Sequence, residues 1–217
     1  MTDSLAVNLL LTLDGRTRER CAALNATLRA GYPPGFKLDE THEPHITLLH
    51  RFLRRADLEA ALASAGQAIA DRDLGSIALR AVAVEAAPFG TPAGTALLSV
   101  VVEPLPAMVG LQAAVVRAFE SYDQPNGTSA AFVTTVDEPE VNAATIDYVQ
   151  SFVRERTGER YEPHITVGIA SDRTFEPLKH DFEPFDANAC AIAAYQLGNF
   201  GTARQLIRSW ALPSAAS

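Results

Sequence analysis

Apolar positions crowd the start of the chain, where Leu5–Leu13 forms a run interrupted by Asn8 and reads as a buried strand. Asp14-Gly15 then turns into an Arg- and Ala-rich segment, predicted helical over Thr17–Ala30 with Gly31 as its stop. After the Pro- and Gly-bearing loop GYPPGFKLDETHE comes a short apolar strand beginning at EPHIT. In RRADLEAALASAGQAIADRD, Leu58, Leu62, Ala65 and Ile69 recur at helical spacing. Strands are predicted over Ser76–Glu85 and Thr95–Glu103, joined by PFGTPAG as a hairpin loop, and a helix over Ala107–Ser121 ends in YDQPNGTS. AAFVTTV reads as another strand. Asp137 and Pro139 carry helix-start chemistry for a helix running to Thr157, with Val141, Tyr148, Val149 and Phe152 on one face and Gly158 as its stop. Cys190–Leu197 and Gln205–Leu212 close the chain as a strand pair around GNFGTA.

One pentapeptide occurs twice. Glu43-Pro44-His45-Ile46-Thr47 returns as Glu162-Pro163-His164-Ile165-Thr166, each time at the end of a strand–helix–strand pattern, over residues 5–50 and 128–170. Two copies are too few for a solenoid. The duplication predicts two related lobes facing one another within one domain over residues 1–217.

Composition narrows the possibilities. The chain has 217 residues, enough for a sizeable core, and a formal net charge of −8. That balance disfavours wrapping a long duplex, which needs many cations against phosphates. Two cysteines build neither a disulfide framework nor a metal cluster. The opening lacks a basic n-region, and its apolar run is too short to span a bilayer, so a cytoplasmic protein without a membrane segment is expected. A monomer is expected as well.

Side chains on a strand alternate between faces. His45 and Thr47 therefore share one face with Ile46 and Leu48 opposite; His164 and Thr166 share theirs, opposite Ile165 and Val167. Brought together across a cleft, the two pairs offer two imidazoles that titrate near neutrality and two hydroxyl donors. One neutral and one protonated ring flanking a reacting atom suit concerted acid–base attack, and fixed hydroxyls can hold the oxygens of a phosphodiester. Which histidine is base and which acid is left open. The same residues allow a metal reading through His45, His164, Glu43 and Glu162, and a third in which a bilobal module binds a nucleotide or RNA end without turnover.

The two motifs, His45-Ile46-Thr47-Leu48 and His164-Ile165-Thr166-Val167, resemble those of the 2H phosphoesterase superfamily, with its LigT-like, cyclic phosphodiesterase and 2′-5′ RNA ligase branches. That resemblance implies an α+β, bilobal fold in which two pseudo-symmetric lobes carry antiparallel sheets flanking a central cleft, with helices outside. It also implies chemistry without metal or other cofactor on 2′,3′-cyclic phosphates of nucleotides or RNA ends, or on 2′,5′-linked nucleotides. It implies that His45 and His164 are the acid–base pair and that Thr47 and Thr166 hold the phosphate. Some ligase-like members carry an Arg soon after the second motif, where this chain has Gly168-Ile169-Ala170. Tyr161 and Arg51 are further candidates for lining the substrate, and Phe89 and Phe200, in turn-rich segments, for roofing the cleft. His42, His50 and His180 have no duplicate and read as structural or exposed.

Overall fold

The computed structural model describes residues 3–72, 74 and 77–213. Its seven strands are β1 (Ser4–Leu13), β2 (His45–Arg54), β3 (Ala78–Ala87), β4 (Thr95–Val102), β5 (His164–Ser171), β6 (Phe185–Leu197) and β7 (Ala203–Ala211). The helices are α1 (Gly15–Gly31), α2 (Leu58–Ala70), α3 (Pro106–Ala118), α4 (Ala143–Glu155) and α5 (Asp172–His180). Of the predicted segments, Asp73 and Ser76 lie outside the described residues.

All pairings are antiparallel, in the order β1-β2-β5-β4-β3-β6-β7, and β1 also pairs with β6. The fold is thus mixed α and β, built on one seven-stranded antiparallel sheet in which β6 serves both halves. Residues 185–188 of β6 pair with β3, and residues 189–196 pair with β1. Six strands close into a ring of pairings with one weak joint. There β2 meets β5 through a single residue pair, Ile46 opposite Ile165.

Burial follows from these positions. β1 has neighbours on both edges and is buried along most of its length, which explains why its sequence is apolar almost without alternation. Asp14 caps α1, its carboxylate accepting from Thr17 N at 2.8 Å. The buried positions of α1 are Thr17, Cys21, Asn25 and Leu28, one stripe facing β5. Asn25 donates to Val167 O and Phe36 O and accepts from Leu38 N, tying the loop after α1 to the second motif strand. In turn α4 packs on β2 through Val149 and Phe152.

Three expectations are corrected. AAFVTTV is not a strand: Ser129–Ala131 forms a 3-10 turn and the rest runs irregularly, with Val136 96% exposed. Its β-branched pattern finds no free edge beside β1, whose two sides are taken by β2 and β6. The strand that stands to β5 as β1 stands to β2 is β4. Next, α4 begins at Asn142, whose side chain accepts from Thr145 N, and not at Asp137. Finally, α3 stops at Ala118, with Glu120–Tyr122 continuing as a 3-10 turn.

Candidate active site

The joint between β2 and β5 creates the site. Ile46 and Ile165 are fully buried on the core side, so their neighbours His45, Thr47, His164 and Thr166 face the other way, into one recess. All four predicted residues line it. Each strand then bulges at the same place: Leu48 is the extra residue between Thr47 and Leu49 opposite β1, and Val167 the extra residue between Thr166 and Gly168 opposite β4. The fourth position of each H-I-T-x motif is therefore the bulged residue, which bends the strand just after its hydroxyl.

The two imidazoles are held alike. His45 Nδ1 donates to Glu43 O at 2.7 Å and His164 Nδ1 to Glu162 O at 2.9 Å, each Pro between them shaping the short return. That fixes the tautomer and leaves Nε2 as the unprotonated nitrogen of each neutral ring. Beyond this the halves differ. Asn8 Nδ2 donates to His45 Nε2 at 3.0 Å and lies 3.5 Å from Thr47 Oγ1. On the other side Ser99 Oγ lies 3.3 Å from Thr166 Oγ1.

Burial pushes the His45 imidazole down to about 4, aided by the nearby His164 charge and opposed by its bond to Glu43 O. His164 is also lowered, first by burial, with Arg156 adding to the shift and the Glu162 carbonyl opposing it. Both rings keep an open side toward the recess. The surroundings favour neutral imidazoles, and more strongly at His45.

Next to the recess, of about 40 Å³, lies a groove of about 400 Å³ that shares Tyr148, His164, Thr166 and Phe200 with it. Phe89, Leu97 and Val101 give it apolar walls, while Glu85, Arg156 and Glu162 stand on its polar side. Phe89 and Phe200 thus border the cleft, as their turn positions suggest. Phe200 adopts φ 58°, and its amide donates to Thr145 Oγ1 at 3.0 Å.

Neither Tyr161 nor Arg51 lines the recess or the groove. Tyr161 is 6% exposed beneath the site, its hydroxyl donating to Thr47 O at 2.9 Å, so it ties the second motif strand to the first. Arg51, also buried, turns away to Phe119 O and Asp123. Strand alternation explains this, because Arg51 follows the inward-facing His50. That histidine is neither exposed nor remote: it is 2% exposed, lines the recess, and places Nε2 3.3 Å from Thr47 Oγ1. The sequence signal that could have found it is its cross-strand partner Asn8, a polar break in the middle of the β1 run. His42 is likewise buried at the rim, stacked on Phe36 and bonded to Glu138 and Arg204.

As for the metal reading, Glu43 turns to Arg18 and Glu162 to Arg156. Among the described residues no three His, Cys, Asp or Glu converge as metal ligands.

Residues 26–198 match the family model described as the 2′-5′ RNA ligase superfamily, a span that holds both motifs and most of the ring of strands. The chain belongs to that superfamily. This is the grouping to which its paired H-I-T motifs point. Among solved structures, it is similar to TT0787 of Thermus thermophilus, with 15% identity, 96% of this chain and 98% of the other covered, and a TM-score of 0.59. It is also similar to E. coli LigT complexed with ATP, with 14% identity, coverage of 97% and 99%, and a TM-score of 0.52. LigT complexed with 3′-AMP matches at 13% identity, coverage of 98% and 100%, and a TM-score of 0.50. At such identities the likeness is one of fold. No curated protein matches the chain in sequence.

Proposed function

We propose that this member of the superfamily is a metal-independent phosphodiesterase that opens 2′,3′-cyclic phosphates of nucleotides or RNA ends. The reading is carried by one observation: the Ile46–Ile165 pair, which turns two imidazoles with matching Nδ1 bonds and two hydroxyls into a common recess. His45, the more strongly disfavoured as a cation and already an acceptor at Nε2, is the base. It takes a proton from water as that oxygen bonds to phosphorus. His164 Nε2–H protonates the departing 2′ or 3′ oxygen as its P–O bond breaks, leaving a phosphomonoester. Thr47 and Thr166 donate to the non-bridging oxygens as charge grows there. The carboxylates beside the histidines are paired with arginines, which supports a route through imidazoles alone.

The groove beside His164 has room for a nucleoside as leaving group, and this favours 2′,5′-linked dinucleotides as the second substrate class. The two cysteines are unpaired, consistent with a reducing cytoplasm; among the described residues no helix is long and apolar enough to cross a membrane. We read the protein as acting there as a monomer on small nucleotides or RNA ends.

The test is turnover of 2′,3′-cyclic mononucleotides, a cyclic-phosphate-ended oligonucleotide and a 2′,5′-linked dinucleotide in excess EDTA. His45→Ala and His164→Ala are each expected to lower the rate by ~10²-fold or more. An undiminished rate in the double variant would overturn the assignment, and tight binding without product would favour a binding module.

A further inference from the structure

The hydrogen-bonded surroundings of Thr47 and Thr166 differ in a way that bears on how a phosphate is held. Three residues past Thr47, His50 pairs across strands with Asn8; three past Thr166, Ile169 pairs with Leu97. The same register position thus carries two polar side chains in one half and two apolar ones in the other. Asn8 is fully buried and His50 is 2% exposed, burial that polar groups rarely accept without a specific bond. Both reach Thr47 Oγ1, at 3.5 Å and 3.3 Å.

Resting on the phosphodiesterase reading, we propose that Asn8 and His50 are positioning residues whose N–H groups occupy the two acceptor sites of Thr47 Oγ1, leaving its proton directed into the recess. A threonine hydroxyl has one proton and two lone pairs. With both lone pairs filled from behind, the hydroxyl is a committed donor before substrate arrives and needs no reorientation as charge develops.

The state of His50 is the crux. Its Nδ1 is buried with no partner among the described residues, against the rings of Phe152 and Tyr148 at centroid distances of 5.0 Å and 5.5 Å. A proton on Nδ1 would bury an unbonded donor, the rarer and costlier kind of orphan. A proton on Nε2 is bonded to Thr47. Burial and the neighbouring His45 and His164 keep the ring neutral, so it carries only that one proton. The ring cannot swing away. Gly201, at φ 72°, lets the backbone close over its edge, where a Cβ would come within 3.1 Å of Cε1.

Nitrogen NMR of the ¹⁵N-histidine-labelled wild-type protein at neutral pH tests this without any appeal to activity. The expected result is a neutral His50 protonated at Nε2; protonation at Nδ1, or at both nitrogens, would overturn the proposal. Kinetics give the second arm. His50→Phe keeps the ring volume and removes the donor, and is expected to lower kcat on a 2′,3′-cyclic nucleotide about tenfold with KM little changed. His50→Gln, which restores an N–H near the same place, is expected to recover most of that loss. In a Thr47→Ala background His50→Phe should cost nothing further, since the two act through one hydroxyl. Equal losses with and without Thr47, at unchanged melting temperature, would overturn the proposal. An inactive wild-type protein would instead count against the phosphodiesterase reading, leaving the NMR result to decide the role of His50.

Discussion

Phe200 shows how a single residue can serve the site at the expense of its backbone. A left-handed conformation in a bulky non-glycine residue costs about 1 kcal/mol or more, and here it is held by Asn199 and Thr145, which anchor the turn to the start of α4. The ring is thereby presented to both the recess and the groove. Stacking of a base on an aromatic ring is worth ~1–3 kcal/mol. Phe200→Ala is therefore expected to raise KM for a cyclic nucleotide about tenfold with a smaller change in kcat, measured by steady-state kinetics; an unchanged KM would remove Phe200 from the binding surface. At this scale the two H-I-T segments were legible because a repeated pentapeptide on strands fixes facing by alternation alone. Asn8 and His50 were not, because their meaning depends on which strand lies beside which, and a local pattern carries no such information.

Elements lock the two halves together by exchange: α1, which follows β1, packs on β5, while α4, which precedes β5, packs on β2. One close contact between α1 and β5 is at Gly168, just past the second bulge. It has φ 150°, and a Cβ there would lie 2.9 Å from Leu28 Cδ1 and 3.0 Å from Asn25 Nδ2. Gly168→Ala is expected to destabilise the fold by about 1–3 kcal/mol in urea unfolding, through both crowding and backbone strain. A neutral effect would mean that α1 sits more loosely on β5. Elements with strong periodicity were readable, whereas two weaker ones were not. In α5 charged residues and an internal Pro177 hide a helix capped by Ser171 and Thr174. The first residues of β6 alternate through Phe185, Ala187 and Ala189, where alanines give little apolar contrast. AAFVTTV failed in the opposite sense: local β preference without an open edge to join.

Over the whole molecule, three histidines that the fold holds against protonation link stability to pH. The folded values of His45, His50 and His164 are lowered from about 6.5, chiefly by burial. The unfolded chain therefore binds protons first as pH falls below 6.5. Their contribution to stability is complete above that value and is lost progressively as pH falls, for His45 down to about 4. Each such group can steepen the fall by at most about 1.4 kcal/mol per pH unit. Urea unfolding of wild type and His50→Phe at pH 7 and pH 5 should show the wild type losing more; parallel losses would place a charged His50 in the fold. The family and the mixed α and β architecture were accessible from motif and element order. The closed ring of strands was not, since it depends on β6 pairing with β3 and then β1, a long-range choice that no window of sequence displays.

The claim on which the account depends is that one neutral and one protonated imidazole act on the same phosphorus. The most direct measurement is the pH dependence of kcat/KM for a 2′,3′-cyclic nucleotide in EDTA, which reports the free enzyme. Because both rings are lowered, the expected profile is a bell with its maximum on the acid side of pH 6.5, its acid limb near pH 4 from His45 and its alkaline limb from His164. A rate that stays level from about pH 4 to about pH 8, or that rises steadily to the alkaline end, would contradict the account.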